Sequence, residues 1–299
     1  MSENKRTVEA SSLRAFFDEQ IDHLQGLIHG LNDYFEDIER AKEDEQIVEN
    51  FVDVANKKMR AVDDYADKLR IYVRALYKHV LTIADEIPAP VDLNSNAFKT
   101  NALINAMFVN YDDIKKLMAT NPEVNAFLQQ YQNISTLYAV LTANKNEKAK
   151  LGMAMQGDML VRDVVQHEIN FSSYQIHTPC PSNEALTSAL KTKLFNRVVQ
   201  LLKQEMDAQL KNQPLFQTNS YEARVNSLAN PDVYLNTLIK YMENPAELIS
   251  IEKTHLRVNK LGVKLEDNDD TQSANEFDIY ELVWRDNMRV VILQICHPF

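Results

Sequence analysis

Apolar residues recur at alternating intervals of four and three through Phe17, Ile21, Leu24, Ile28, Leu31, Phe35 and Ile38. The same spacing returns at Val48, Val52, Ala55, Met59 and Val62 and runs on through Leu69, Val73, Leu76, Val80 and Ile83 to Ile87. On a helix, such spacing places every member on one stripe, the seam of a coiled coil; on a strand it would scatter them over both faces. The second seam predicts a helix over about 47–87, roughly 60 Å long at 1.5 Å per residue. Pro88 and Pro90 end it, because proline lacks the amide donor that a helix interior needs.

The two seams differ in phase. Extending the first past Ile38 puts Lys42, Glu45 and Glu49 on the stripe, so 39–46 (ERAKEDEQ) is either a turn or a solvated break within one long helix. Leu13, Leu27, Tyr34, Phe51, Tyr65 and Tyr72 widen each stripe beyond a two-stranded seam, which favours a bundle and hence the hairpin. The expectation is a coiled-coil-like N-terminal helical hairpin occupying residues 1–90, with helices between 13 and 87 and its turn near residue 43.

Glycine sharpens the picture by its scarcity. The chain of 299 residues has five, at Gly26, Gly30, Gly152, Gly157 and Gly262. GxGxxG, GxxxxGK[ST] and GxSxG are all absent, which removes the sequence warrant for dinucleotide-binding, P-loop and nucleophile-elbow chemistry.

Residues 91–299 read as a helical body ending in strands. Helices are expected over 97–108 and 112–119, and from Asn121-Pro122 through Val124, Phe127, Leu128, Tyr131, Ile134, Leu137, Tyr138 and Leu141. Residues 146–166 continue as helix, followed by a short strand near Ile169 to His177. Ser182 opens a long helix with an unbroken i,i+4 row from Leu186 to Leu210, and Asn230-Pro231 opens another. After residue 249 the period drops to two: Thr254, Leu256 and Val258 alternate with polar residues, and Val263 and Leu265 resume after Gly262, as in a bent strand. Phe277 to Trp284 and Met288 to Cys296 complete a three-stranded antiparallel β-meander, the last strand apolar on both faces and hence central. The fold class expected is α+β, predominantly α.

Chemistry is sparsely marked. His167, His177 and Cys180, with Cys296 and His297, provide zinc-type donors if the short strand and the last strand are neighbours. No CxxC or HExxH supports them, and cysteine in a reduced cytosol is ordinarily a small buried hydrophobe. Asp267, Asp269 and Asp278 fall at positions 1, 3 and 12 of a calcium loop, but Gln272 stands where that loop needs glycine. Nine acids lie between residues 33 and 53, among them Asp33, Asp37, Glu43, Asp44 and Glu45, and would gather at the hairpin tip as an interaction surface. A basic run follows at 57–78.

The leading functional expectation is a non-catalytic interaction or scaffold protein that binds a protein partner, or itself, through helices 13–87. An enzyme or metal-binding protein with a His/Cys site where the middle helices meet the C-terminal strands is the alternative. Nucleic-acid binding through 57–78 comes third, since a net charge of −11 opposes a phosphate backbone. The opening MSENKRTVEASS lacks an apolar signal core and no run approaches 18 apolar residues, so a cytoplasmic chain with no membrane segment is expected.

Overall fold

The computed structural model describes residues 42–131, 134–156, 159–212, 228–259, 261–265 and 274–299. The first seam, Gly26, Gly30, Asp33, Asp37 and most of the 267–278 acidic loop lie outside the described residues.

The second seam is not one helix. Residues 42–55 form helix α1, the chain turns through a 3₁₀ segment at Lys57–Ala61, and helix α2 occupies Tyr65–Glu86. Asn56 accepts a hydrogen bond from the Lys58 amide, and Asp64 takes a left-handed backbone at φ 55°. Arg60 reaches back to Glu49 (2.6 Å) and Asp53 (3.0 Å) of α1. Glu49 also receives the Tyr65 hydroxyl, and Tyr65 and Arg60 together hold its carboxyl below the usual range. With Asp44 on Arg74 (3.3 Å), these contacts set α1 antiparallel to α2. A turn therefore falls at 56–64, and residues 42–46, the described part of the stretch where the hairpin turn was expected, are helical. The heptad spacing runs through it because Met59 and Val62 are as buried as the helical members on either side. Periodicity reported burial there, not helical continuity.

The larger correction concerns residues 131–180. Helix stops at Gln130, and two long strands follow, β2 (Thr136–Gln156) and β3 (Met159–Cys180). Leu137, Ala139, Leu141 and Ala143 point to one core and Tyr138 and Val140 to another, so a strand buried on both faces presents a nearly continuous apolar run. Read as a helix, the same run shows acceptable three-four spacing, and periodicity cannot separate the two. The fold is accordingly not a predominantly helical chain with a terminal three-stranded meander but a mixed structure around a six-stranded sheet. Strands β4 (Ile249–Val258), β5 (Asn275–Trp284) and β6 (Arg289–Pro298) stand where the alternation placed strands, and the sheet order is β3-β2-β6-β5-β4. Short β1 (Val91–Asp92) pairs parallel with β6, which lies centrally as its two apolar faces require.

Three β-bulges interrupt the β2–β3 ladder, and the two nearer the body of the sheet curl it. Between Tyr138 opposite Cys180 and Gln156 opposite Met159 the register shifts three times, each time with the extra residue on β3. Thr178, Ser173 and Asp163, at φ 56°, 55° and 61°, sit at these three places. A bulge bends its strand and increases local twist. The curl carries β3 round to the chain beyond β4, which folds back at Gly262 and does not continue as a bent strand: Val258 bridges Lys264, and Glu168 bridges Val263. The Ile169 amide donates to the Gly262 carbonyl (2.8 Å) and the Lys264 amide to the His167 carbonyl (2.7 Å). Gly262 takes φ +77°, and a Cβ there would stand 2.9 Å from the Ile169 carbonyl, so this closure needs glycine.

Helices cover both faces. Inside the curl lie α3 (Ser95–Thr100), α4 (Ala102–Met107), α5 (Tyr111–Thr120) and α6 (Pro122–Gln130), started by Asn94, Asn101, Asn110 and Asn121 caps. Helix α4 touches both β5 and β3, although two strands separate them, because the sheet wraps around it. The outer face carries α1, α2, α7 (Asn183–Asn212) and α8 (Pro231–Met242). The row expected on α7 is buried from Leu186 to Met206.

One charge lies deep in the sheet. Glu281 on β5 is 3% exposed and faces Glu252 in register on β4, a like-charge pair that would be unfavourable alone. Lys145 on β2 reaches Glu281 (2.5 Å), and Arg289 on β6 takes Glu252 (2.5 Å). Removing one partner of a buried pair leaves an uncompensated charge, so Lys145→Met should lower unfolding free energy by about 3 kcal/mol. Adding Glu281→Leu should bring stability back to within about 1 kcal/mol of wild type, as read by urea denaturation.

Candidate functional site

The donors singled out in the sequence are spread across the sheet. Cys180 and Cys296 face the same β2 residue, Tyr138, from opposite sides, with β2 between them. Two strand spacings set their backbones about 10 Å apart, too far for one metal or for a disulfide. Burial raises the Cys180 thiol, and Cys296, half-buried and donating to Asp92 (2.8 Å), is pushed up to about 12 by desolvation and by that carboxylate. Neither is an activated thiolate. His297 donates from Nδ1 to the Leu93 carbonyl (2.6 Å), and exposed His167 pairs with Glu147 (2.9 Å) near the sheet closure. Among the described residues no group of three His, Cys, Asp or Glu is placed to hold a metal ion. Asp44 is engaged by Arg74, while Glu43 and Glu45 are exposed on α1, within a helix and not at the hairpin tip where they were expected.

The remaining histidine has neighbours worth describing. His177 on β3 stands between Thr142 of β2, whose Oγ1 is 3.2 Å from Nε2, and Glu123 of α6, whose Oε1 is 3.4 Å from Nδ1. The carboxylate fixes the tautomer, Nδ1–H toward Glu123 and Nε2 accepting from the hydroxyl. Glu123 also accepts from the Thr178 amide (2.9 Å) and lies 3.8 Å from Lys193 of α7. Burial works against ionisation there, but the Thr178 amide, Lys193 and His177 outweigh it and hold Glu123 below the usual carboxylate range.

Hydroxyl, imidazole and carboxylate follow in the order of a nucleophile, base and orienting acid. Thr142 is paired on both sides, to Gln175 of β3 and Ile292 of β6, so its surroundings are sheet ladder, and no pair of free amides faces the hydroxyl as an oxyanion site would require. What the cluster does mechanically is tie the start of α6 to the end of β3. Thr178 is the strained member: a β-branched residue in left-handed conformation whose Oγ1 is buried without a partner.

A second feature is the end of the β2–β3 ribbon. Pairing with β6 stops at Ala143, and contacts from the 262–264 turn stop at His167, so among the described residues 150–156 and 159–166 pair only with each other. Seven residues of strand make an arm about 23 Å long. Leu151 (71% exposed) stands opposite Val165 (59%), and Met153 (57%) follows on the same face. Met159 (72%) sits near the tip.

Neither feature was foreseen, because Thr142 of β2, in a stretch with no expected strand, reaches His177 of the expected short strand only through the β2–β3 register. The basic run at 57–78 has acidic partners within the fold. Lys57 and Arg60 pair with Asp53, Arg70 with Asp67 and Arg74 with Asp44, so much of the run answers neighbouring acids. No protein-family model, curated protein or solved structure matches the chain.

Thr178→Gly removes both the left-handed penalty and the orphan hydroxyl while keeping the amide to Glu123. It should raise unfolding free energy by about 1 kcal/mol, seen as a higher thermal midpoint.

Proposed function

We propose that the chain is a non-catalytic interaction and assembly protein whose contact element is the β2–β3 arm, and that its partner is a second copy of itself. The observation that carries this reading is the clustering of Leu151, Met153 and Val165 on one face of a ribbon that projects beyond the sheet. Isolated apolar side chains on a surface are ordinary, whereas a contiguous group on a projecting element is the mark of an interface. The arm also has an unpaired edge among the described residues, since β2 has no neighbour beyond Ala143 on the side away from β3. Such an edge invites a further strand, and an identical arm related by a two-fold axis satisfies both copies at once.

The seam of α1 and α2 supports a different role from the one its spacing suggested. Val48, Val52, Leu69, Val73, Leu76 and Val80 are at most 2% exposed and form the outer core, so that stripe is taken up within the chain. A second reading rests on the first seam, Phe17 to Ile38, whose heptad spacing suits a helical partner. Among the described residues no helix is long and apolar enough to cross a membrane. A cytoplasmic location belongs to the same proposal and is supported by the free thiols of Cys180 and Cys296.

Light scattering on the full chain separates these readings. The wild type should run as a dimer, and Leu151→Ser, Met153→Ser and Val165→Ser combined should yield a monomer with unchanged circular dichroism, because all three side chains are exposed. A monomeric wild type would refute assembly. Loss of the dimer only when Leu24, Ile28 and Leu31 are changed to serine would transfer the role to the first seam.

A further inference from the structure

Between the outer face of the sheet and α7 lies a cleft of about 780 Å³, within the range of small-molecule sites. Its floor is apolar: Val140 of β2, Ile292 of β6 and Leu282 and Trp284 of β5. Leu190 and Leu194 of α7 make the wall. Its polar lining includes Thr142, Gln175 and His177 from the strands and Lys193 and Arg197 from α7, with His177 and Lys193 both turned to Glu123. Lys193 and Arg197 are four apart on the helix and so project side by side.

The charges at this rim do not cancel. No acid lines the cleft, and the nearest is Glu123, held by His177, the Thr178 amide and Lys193. Arg197 is half-buried and has no hydrogen bond or ion pair among the described residues. Two cations against one carboxylate leave a single positive charge, in a chain whose net charge is −11. A half-buried guanidinium offers a planar fork that matches a carboxylate in a bidentate pair. One uncompensated charge suits a monoanion better than a dianionic phosphate.

We infer that this cleft binds a small amphipathic carboxylate, with the carboxylate on Arg197 and Lys193 and its apolar body over Trp284 and the β2–β6–β5 floor. The Gln175 side-chain amide lines the same cleft and supplies a further donor for the carboxylate, while the Thr142 hydroxyl stays committed to His177. This site is separate from the arm and stands or falls independently of assembly.

Trp284 is the chain's single tryptophan, so its fluorescence reports occupation of the floor directly. The probe is decanoate, titrated into the full chain at neutral pH below its aggregation concentration, with 1-decanol and decyltrimethylammonium as controls. Decanoate should give a saturable change in Trp284 emission at submillimolar concentration, with decanol at least about tenfold weaker and the cationic amphiphile giving no saturable change. Arg197→Gln, which breaks no hydrogen bond or ion pair among the described residues, should weaken decanoate about tenfold with unchanged circular dichroism, and Lys193→Gln should weaken it by a smaller factor. Absence of a saturable change up to about 1 mM would overturn the inference. So would equal affinity for decanol and decanoate, or full affinity in both charge variants.

Discussion

The curvature introduced by two extra residues on β3, at Thr178 and Ser173, is the constraint on which the rest of the molecule depends. A flat sheet of this order would leave β3 and β4 as distant open edges and its two faces equally exposed. With bulges at Thr178 and Ser173, β3 bends until its outer edge meets the turn at Gly262, and the third bulge, at Asp163, lies in the arm beyond that closure. The bend creates an inner side, filled by α3 to α6, and an outer side, covered by α1, α2, α7 and α8. Each bulge places a non-glycine residue in left-handed conformation, so the curvature has a local cost that the two cores offset.

Two-sided burial also explains how polar groups are treated in the sheet. Glu281 tolerates its position because Lys145 answers it from β2, across β6. Gln294 on β6 turns its amide nitrogen to the Ile87 and Pro88 carbonyls at the end of α2, fixing where that helix leaves the outer layer. Lys191 on Asp85 (2.9 Å) and His79 on the Ile249 carbonyl (2.8 Å) bind the outer helices to one another and to β4. These contacts hold α7 in place over the sheet, and its placement shapes the cleft.

Much of the fold was legible wherever local chemistry and burial agreed. Pro88 did end a helix, the Asn121-Pro122 and Asn230-Pro231 pairs did open helices, the Leu186 row is a buried helical stripe, and the last two strands occupy their expected stretches, while the first of the three ends at Val258. Legibility failed where burial on both faces erased the period, as in 136–143, and where the exposed ribbon carried no clean alternation at 146–166. It failed again at 56–64, where a turn contributes Met59 and Val62 to the same core as the helices it joins. The candidate sites depended on the missed elements. Of the residues marked for chemistry, His177 alone gained a polar cluster, through Thr142 and Glu123, partners that no spacing in the sequence connects to it.

The strand assignment of 136–180 therefore bears both the architecture and the proposed contact surface, and Leu151 with Val165 gives it a direct test. In the ribbon the two face each other, and directly opposed Cβ atoms lie about 5 Å apart. In a helix running through 146–166 they would be about 21 Å apart along the axis. The doubly substituted chain, Leu151→Cys with Val165→Cys, should close an intramolecular disulfide under mild oxidation, seen by mass and by loss of both new thiols while Cys180 and Cys296 stay free. Persistence of both new thiols without intramolecular closure would contradict the curled sheet with its projecting arm.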